Sequence, residues 1–513
     1  MFEDFFDINI DDLDKRFKEA VKKGNRFYAS EEEFEALIYY YEIEGKVNYA
    51  EKAIDLATML YPSSATILYK KGYFLYKRKR YNEAILTLKN AHVFDRFNPI
   101  IYIYIALCYI ELGNIPKAQK YHQLTLQLLA ENEKENNFFD YDDDEDYGFE
   151  DSLYIMFELI DILHNEFVKD DYDMPFVVDD KLRKKDKQKL DFIESILMNI
   201  NNADNDYFQA IKFKNIDLCH SLKNNLNKSI KYIEKAIQYQ PYDAEYWVGL
   251  AILNIRAKKY EEALESVEYA IAIFPEYPEA LYTYATILYH LKNYTKALEV
   301  YLKVIELDTS NESEVYLNIG KCYEHLNDSL NATAYYLKSY ETDNDNIEAL
   351  VNLGGLFLTL NDYEMAHHYL FLAQQKNNND PELNFNLADL MYHQGNYHKA
   401  IIYINKALAD MPDEVDYILL QSEIYQAKGN IAKSIAVLEK ALDVVEETVR
   451  IQYRLAGLYL LENRRAEAYQ SLSEAITQNS EYISSFLESF PEAKNDKIFK
   501  GLLNLQPKNK NQS

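Results

Sequence analysis

The sequence predicts an all-α protein, an α-solenoid built from stacked antiparallel helix pairs, and three observations lead to this fold class. Small residues recur at a spacing of 34 along most of the 513-residue chain. Bulky apolar residues stand beside them at helical spacing. Gly and Pro contribute only 13 and 11 residues while 48% of the chain is hydrophobic, a composition that suits long helices better than turn-rich sheets.

The repeat is anchored on an alanine that follows a short polar run, as in "KRYNEAILTLKNA" and "KKYEEALESVEYA". A second small residue precedes most anchors by twelve positions, as Gly354 precedes Ala366. We expect two helices to touch there, because small side chains let backbones approach closely. The anchors, with Ser in two places, are Ala50, Ala84, Ala118, Ser229, Ala263, Ala297, Ala332, Ala366, Ala400, Ser434 and Ala468.

These residues resemble the tetratricopeptide repeat, a unit of two helices, and Pro residues twelve positions after several anchors mark where one unit stops and the next begins. The resemblance implies a right-handed superhelix whose first helices line a concave groove. The repeat that begins near residue 210 is the weakest, because Asp217 stands where a small residue is expected. Eleven repeats are recognisable, beginning near residues 31, 65, 99, 210, 244, 278, 313, 347, 381, 415 and 449.

A stacked array leaves an apolar face bare at each end, so the terminal segments are expected to cover those faces. Apolar stripes near the termini, such as Leu13 with Phe17 and Phe486 with Phe490, fit this task. The predicted organisation is a capping helix in 1–30, three repeats in 31–132, a divergent helix pair in 133–209, eight repeats in 210–482, capping helices in 483–506 and a polar tail in 507–513.

The interruption at 133–209 contains the acidic run "FFDYDDDEDYGFED", residues 138–151. As a calcium loop the run fails, because Glu145 occupies the position where such a loop needs glycine. A solvated acidic loop is the simpler interpretation. Two segments of the interruption each carry a helical apolar stripe, so we expect the stack to continue through this divergent pair. The stripes are Leu153, Phe157 and Ile160 in residues 152–168, and Leu190, Ile193 and Leu197 in residues 186–202.

The charge and motif content narrow the class of function. Acidic residues outnumber basic ones by 84 to 55, and the net charge of −29 disfavours nucleic acids and anionic membranes while suiting a basic partner. The acidic N-terminus lacks the features of a secretory signal and no long apolar run follows, so we expect a cytoplasmic protein. No phosphate loop, nucleophile elbow or zinc motif is present, which predicts a protein without enzymatic activity, cofactor or metal.

The sharpest candidate site is a column of asparagines, Asn318, Asn352 and Asn386, at the sixth position of three consecutive repeats. The column resembles the asparagine ladder of O-linked N-acetylglucosamine transferases, which implies a grip on the backbone of a peptide in the groove. An amide both donates and accepts, so it pairs with a peptide group whatever the side chain. Tyr282 and Phe385 are the aromatic residues expected to help. The alternative is that asparagine is simply common at this position of the family.

A second column consists of first-turn acids, Glu245, Glu279, Glu314, Glu348, Glu382 and Asp416. Such acids stabilise helix N-termini, and they also offer a track for a basic ligand. The predicted function is a non-enzymatic scaffold or adaptor that binds a protein or peptide segment in the concave groove. The alternative is an architectural subunit of an assembly, which binds folded partners through its convex face or capping ends.

Overall fold

The fold of the chain was obtained as a computed structural model, which describes residues 8–136, 147–167, 182–200, 205–307, 312–377, 379–494, 496 and 499. The all-α prediction is confirmed, because the described residues form helices and turns without a strand. The chain divides into two compact bodies, residues 1–287 and residues 288–513. Within each body, consecutive helices pack as antiparallel pairs and each pair packs on the next.

In the first body a capping helix precedes three repeats, two further helices interrupt the series, and the repeats then resume. The helices are α1 (Ile10–Lys23), α2 (Glu31–Ile43), α3 (Val47–Leu60), α4 (Ala65–Lys77), α5 (Tyr81–Phe94), α6 (Pro99–Glu111), α7 (Ile115–Asn136), α8 (Tyr147–Phe167), α9 (Lys184–Asn199), α10 (Asp206–Leu222), α11 (Leu226–Tyr239), α12 (Ala244–Arg256) and α13 (Tyr260–Ile273).

The division between the bodies falls within α14 (Pro278–His290), and regular helix pairs continue to the C-terminal cap. The remaining helices are α15 (Tyr294–Glu306), α16 (Glu312–His325), α17 (Ser329–Thr342), α18 (Ile347–Thr359), α19 (Tyr363–Lys376), α20 (Pro381–His393), α21 (Tyr397–Asp410), α22 (Val415–Ala427), α23 (Ile431–Ala441), α24 (Val449–Leu461), α25 (Arg465–Gln478), α26 (Ile483–Ser489) and a 3₁₀ turn at Pro491–Lys494.

The turn inside every repeat contains one residue with positive φ, fourteen positions after the repeat begins. Glycine and asparagine adopt this left-handed conformation at low cost, whereas lysine pays a steric penalty. The conformation reverses the chain within three residues and so sets the two helices antiparallel. The residues are Gly45, Lys79, Gly113, Asn224, Lys258, Lys292, Asn327, Asn361, Gly395, Gly429 and Asn463.

The small residues lie where the two helices of a repeat approach most closely. A Cβ atom added to Gly354 of α18 would lie 2.3 Å from Cδ2 of Leu370 in α19, which is far inside van der Waals contact. Gly320 has the same relation to Tyr336 in the preceding repeat. The anchor alanines are buried as well; Ala366, for example, has no exposed surface. The packing of each pair therefore depends on the absence of side-chain volume at these positions.

Serine replaces the anchor alanine twice, and each serine is satisfied by a polar residue on the facing helix. The Ser229 hydroxyl donates to the carboxylate of Asp217, the residue that makes the repeat at 210 irregular in sequence. The hydroxyls of Ser434 and Ser422 lie 2.7 Å apart. Buried polar groups are costly unless they are paired, so both residues of such a pair must be polar together. Burial raises the pKa of Asp217 to about 7.

Apolar side chains cover both ends of the repeat series. Leu13 and Phe17 of α1 are buried against α2, where the Tyr41 hydroxyl donates to Asp14 at 2.7 Å. At the other end Phe486 and Phe490 are buried, and the Phe490 ring lies against Gly457 of α24. Residues 500–513, with part of the predicted C-terminal cap and the polar tail, lie outside the described residues.

We predict that Gly354→Ala destabilises the protein by about 1–2 kcal/mol, because overpacking costs more than the alanine gains in helix propensity. Gly249→Ala in α12 is the matched control, since its added Cβ would lie 3.6 Å from the nearest atom, Cδ1 of Ile233, an ordinary contact. The control should gain about 0.5–1 kcal/mol. Urea unfolding followed by far-UV circular dichroism measures both changes, and equal effects would contradict the close-approach argument.

We also predict that the repeat at 210 loses stability as pH rises. Because the pKa of Asp217 is about 7 in the folded protein and 3.8 unfolded, the native state binds the extra proton between these values. The stabilisation is complete below pH 3.8 and is lost as pH rises through about 7. Trp247, the only tryptophan, packs on the apolar cluster that α10 and α11 of this repeat help to form. Its fluorescence therefore reports unfolding of the repeat. Asp217→Asn should flatten the pH dependence.

Candidate functional site

The first helices of the N-terminal repeats present an unusually apolar surface. In α6, twelve consecutive residues from Pro99 to Ile110 are buried, so this helix is covered on every side. An ordinary first helix of a repeat needs only a stripe of apolar residues. α4 contributes three tyrosines, Tyr69, Tyr73 and Tyr76, beside the buried Tyr104 of α6. We call the surface that α4 and α6 form around these four tyrosines the first-helix face of α4 and α6.

Helix α8 covers this face. The Glu158 carboxylate accepts a hydrogen bond from the Tyr69 hydroxyl at 3.0 Å and another from the hydroxyl of Tyr104. Burial raises the pKa of the Glu158 carboxyl, although both hydroxyl donors oppose the increase, and the nearby Asp161 carboxylate adds to it. α8 is thereby held by residues of two successive first helices.

A buried ion cluster joins α8 to the next helix. The ammonium group of Lys189 in α9, whose side chain is 6% exposed, lies 2.5 Å from Glu111 of α6 and 2.6 Å from Glu166 of α8. Glu166 also accepts from the Tyr76 hydroxyl. Burial opposes the charged ammonium, but the two carboxylates outweigh it and raise the pKa of Lys189. One cation therefore links α4, α6, α8 and α9.

Helices α8 and α9 occupy the place of the predicted divergent pair. α8 contacts its sequence neighbours α7 and α9 and also the first helices α4, α6 and α10, while α9 packs on α6, α7 and α10. The stripe expected in α9, Leu190, Ile193 and Leu197, is buried as predicted. In the stripe expected in α8, Ile160 packs against the apolar core, but the placement of Phe157 was wrong, since its side chain is 48% exposed. Most of the acidic run lies outside the described residues, which resume at 147.

One sequence signal pointed to a covered face. The stretch "PIIYIYIALCYI" is apolar around the whole helix, and a helix that is apolar all round is buried on all sides. A repeat stack covers only part of each first helix, so some other element had to cover the rest. The periodicity of α8 alone does not show where it packs, because apolar residues occur on several of its faces.

The three asparagines of the predicted site have different surroundings in the second body. Asn386 of α20 is 7% exposed, and its amide nitrogen donates to the Val351 carbonyl of α18 at 3.4 Å. The missing side chain of Gly355 makes room for this amide. Asn318 and Asn352 are half-buried on α16 and α18. The amide nitrogen of Asn352 is covered and has no hydrogen-bond partner among the described residues.

The two aromatic residues of the predicted site fall in different bodies. Tyr282 lies on α14 in the first body and is 8% exposed. Phe385 lies on α20 in the second body, half-buried, with its ring stacked 4.8 Å from that of Tyr417 in α22. Phe385 therefore shares a helix with Asn386, and its ring contacts the next first helix, α22.

The acidic column is largely engaged in ion pairs between neighbouring repeats. Glu348 pairs with Lys321, and Asp416 pairs with Arg450. Glu382 forms no ion pair within the described part of the chain. Desolvation raises the pKa of the Glu382 carboxyl, although Lys321 opposes the increase and Glu348 adds to it. Glu382 is therefore the member of this group that most favours a positive charge beside it.

Comparison with known proteins agrees with this geometry. Models of the tetratricopeptide repeat family match residues 223–278, 254–321, 313–346, 381–414 and 419–483. The chain belongs to the tetratricopeptide repeat family. Tetratricopeptide repeats mediate protein interactions, and in this general sense the chain is a protein-interaction scaffold.

Individual relatives of this tetratricopeptide repeat protein are distant. Over 136 residues, 26% of this chain, it is 24% identical to Superkiller protein 3 of Saccharomyces cerevisiae, and it spans only 9% of that protein's length. Yeast Tom70 is 17% identical over 86% of this chain and 99% of its own, with a TM-score of 0.41. The Cut9–Hcn1 crystal structure is 12% identical over 93% of this chain and 97% of its own, with a TM-score of 0.43.

Among the described residues, no helix is long and apolar enough to cross a membrane, and no group of three or more His, Cys, Asp or Glu side chains is arranged to hold a metal. Cys108, Cys219 and Cys322 are buried, and burial raises the pKa of the Cys108 thiol to about 12. A thiol with that pKa is a packing residue at neutral pH.

We predict that Lys189→Met destabilises the first body by about 3–5 kcal/mol, because it leaves the carboxylates of Glu111 and Glu166 buried without a cation. The triple variant Glu111→Gln, Glu166→Gln and Lys189→Met removes all three charges and should recover much of the loss. Lys71→Met is the control, since Lys71 pairs with Asp55 on the exposed surface. Urea unfolding measures each variant, and a Lys189→Met effect no larger than the control would contradict the buried cluster.

Proposed function

We propose that the protein is a non-enzymatic scaffold of the cytoplasm that binds a segment of another protein against its first helices. The principal region is the surface formed by α16, α18, α20, α22 and α24, which we call the C-terminal first-helix face. The observation that carries the proposal is α8, which lies across the first helices α4 and α6 of the same chain. This contact supports first-helix surfaces as places where a chain segment docks.

The chemistry of the C-terminal first-helix face favours a basic partner. Glu382 is desolvated without an ion pair among the described residues, and burial likewise raises the pKa of Asp389, against the influence of His393. Both raised pKa values mean that the carboxylates lack sufficient positive charge nearby. A lysine or arginine of the partner would supply it, and the Phe385 ring would pack against the stem of that side chain.

The asparagine column contributes hydrogen bonds to this proposal unequally. The Asn386 amide already bonds to the Val351 carbonyl, so this residue chiefly stabilises the packing of α18 on α20. Asn352 carries a covered donor without a partner, and a peptide carbonyl would satisfy it after a rotation of the side chain. Each such bond adds about 0.5–1.5 kcal/mol, so binding also requires the aromatic and charged contacts.

An architectural role is the second candidate, and exposed aromatic residues favour it. Tyr242 is 86% exposed and Phe97 is 72% exposed, and both lie in turns that precede a first helix. A folded partner that contacts these turns would bury them. The two candidates predict different crosslinks to partner proteins: to the first helices for segment binding, and to these turns for an architectural subunit.

We predict that the double variant Asn352→Ala and Glu382→Gln loses partner binding by on the order of tenfold or more, because one hydrogen bond and one ion pair are removed. Its melting temperature should hardly change, since among the described residues the Asn352 amide nitrogen has no hydrogen-bond partner and Glu382 has no ion pair to lose. Affinity purification with quantitative mass spectrometry, followed by crosslinking of the purified complex, measures binding and its location.

Asn386→Ala is the matched control for this test. It should lower the free energy of unfolding by about 1 kcal/mol through the lost bond to Val351, with a smaller effect on partner recovery. Undiminished partner recovery by the double variant, with crosslinks confined to the turns at Phe97 and Tyr242, would overturn segment binding and favour the architectural role.

A further inference from the structure

We propose that the first-helix face of α4 and α6 is a binding site for an acidic amphipathic helix, and that α8 is its resident ligand. A helix of the same chemistry from another protein would compete with α8 for this face. The inference rests on the proposed function in one respect, that first-helix surfaces bind protein segments. It concerns a different surface, within the first body, and a different class of partner, acidic and helical.

The apolar half of α8 defines the first requirement for a ligand. Five of its apolar residues are buried, while Phe157 on the other side is 48% exposed. The buried positions follow the spacing of one helical face, so the site accepts a helix and excludes an extended strand. The buried residues are Ile155, Met156, Leu159, Ile162 and Leu163.

The polar contacts define the second requirement. The Glu158 carboxylate accepts hydrogen bonds from the hydroxyls of Tyr69 and Tyr104. The Glu166 carboxylate accepts from the Tyr76 hydroxyl and the Lys189 ammonium group. These carboxylates are eight residues apart, which is about 12 Å along a helix. Two fixed acceptors at that distance set both the direction and the register of the bound helix. A competing helix should therefore carry two carboxylates eight residues apart beside an apolar stripe.

The number of residues on either side of α8 limits how far this helix could move from its neighbours. Ten residues separate the end of α7 at Asn136 from the start of α8 at Tyr147, and sixteen separate Phe167 from α9 at Lys184. Chains of these lengths can span tens of ångströms. Undocking of α8 would then require no unfolding of α7 or α9, and the apolar face of α6 would become available to a partner.

A labelled peptide of residues 147–167 tests the proposal on the full-length chain by fluorescence anisotropy. Leu159→Asp places a charge on the buried side of α8 and should free the face, so this variant should bind the peptide at least tenfold more tightly than the unmodified chain. Phe157→Asp is the matched control, because it places the same charge on the exposed side. The control should bind as weakly as the unmodified chain.

Peptide variants test the chemistry of recognition on the Leu159→Asp chain. A peptide with Glu158→Gln and Glu166→Gln should bind at least tenfold more weakly, because it loses both charged acceptors. Equal binding by this peptide and the unmodified one would overturn the assignment of an acidic ligand.

Hydrogen exchange of the Leu159→Asp chain shows whether α8 is a ligand or part of the core. The proposal requires fast exchange in α8 with protection retained in α4 and α6. Loss of protection in all three helices would overturn it, as would a folded Leu159→Asp chain that does not bind the peptide. If these results fail while the Asn352 and Glu382 double variant loses its partner, the proposed function stands and the resident-ligand inference falls.

Discussion

The structure depends on the close approach of two helices inside each repeat. Gly320, Gly354 and the anchor alanines leave no side-chain volume between the helices, so a bulky residue from the facing helix fills the space. The fixed separation makes successive repeats similar in geometry, and stacking buries a series of apolar clusters along each body. Where serine replaces an anchor, a second polar residue appears opposite it, because the space admits a small hydroxyl only if its hydrogen bond is satisfied.

This geometry also creates the surfaces on which the proposed interactions depend. The first helices of a stack present one side that no other repeat covers. In α6 that side is apolar, and α8 covers it with an apolar stripe and two carboxylates. In the C-terminal first-helix face the corresponding side is more polar, with Asn352, Lys321 and Glu382 on neighbouring helices. The same architecture therefore offers two surfaces of different chemistry, one suited to an acidic helix and one to a basic segment.

The charge of the chain has a structural use as well as a functional one. Several of the 84 acidic residues cap helices or pair with basic residues of the adjacent repeat, as Asp416 does with Arg450. Such exposed pairs contribute about 0–1 kcal/mol each, so they add little to stability and leave the overall negative charge unchanged. The carboxylates on which the two proposals depend are desolvated by the fold, Glu382 in one body and Glu158 in the other.

The sequence by itself determined the repeats and the all-α fold, because these follow from contacts between residues close along the chain. The small positions recur at a spacing of 34 along most of the chain and need no distant partner to be recognised. The stripe of α9 was predicted for the same reason. The alignment of Asn318, Asn352 and Asn386 was also visible, but their hydrogen bonds depend on how neighbouring first helices pack, so the bond from Asn386 to Val351 could not be foreseen.

Only the tertiary structure decided where α8 lies. Apolar residues occur on more than one side of this helix, so its periodicity wrongly placed Phe157 inside. The buried side is chosen by residues far away in sequence, Tyr69 and Tyr104, whose hydroxyls donate hydrogen bonds to the Glu158 carboxylate. A long-range hydrogen bond between single residues has no local period, and for that physical reason the sequence pattern did not reveal it.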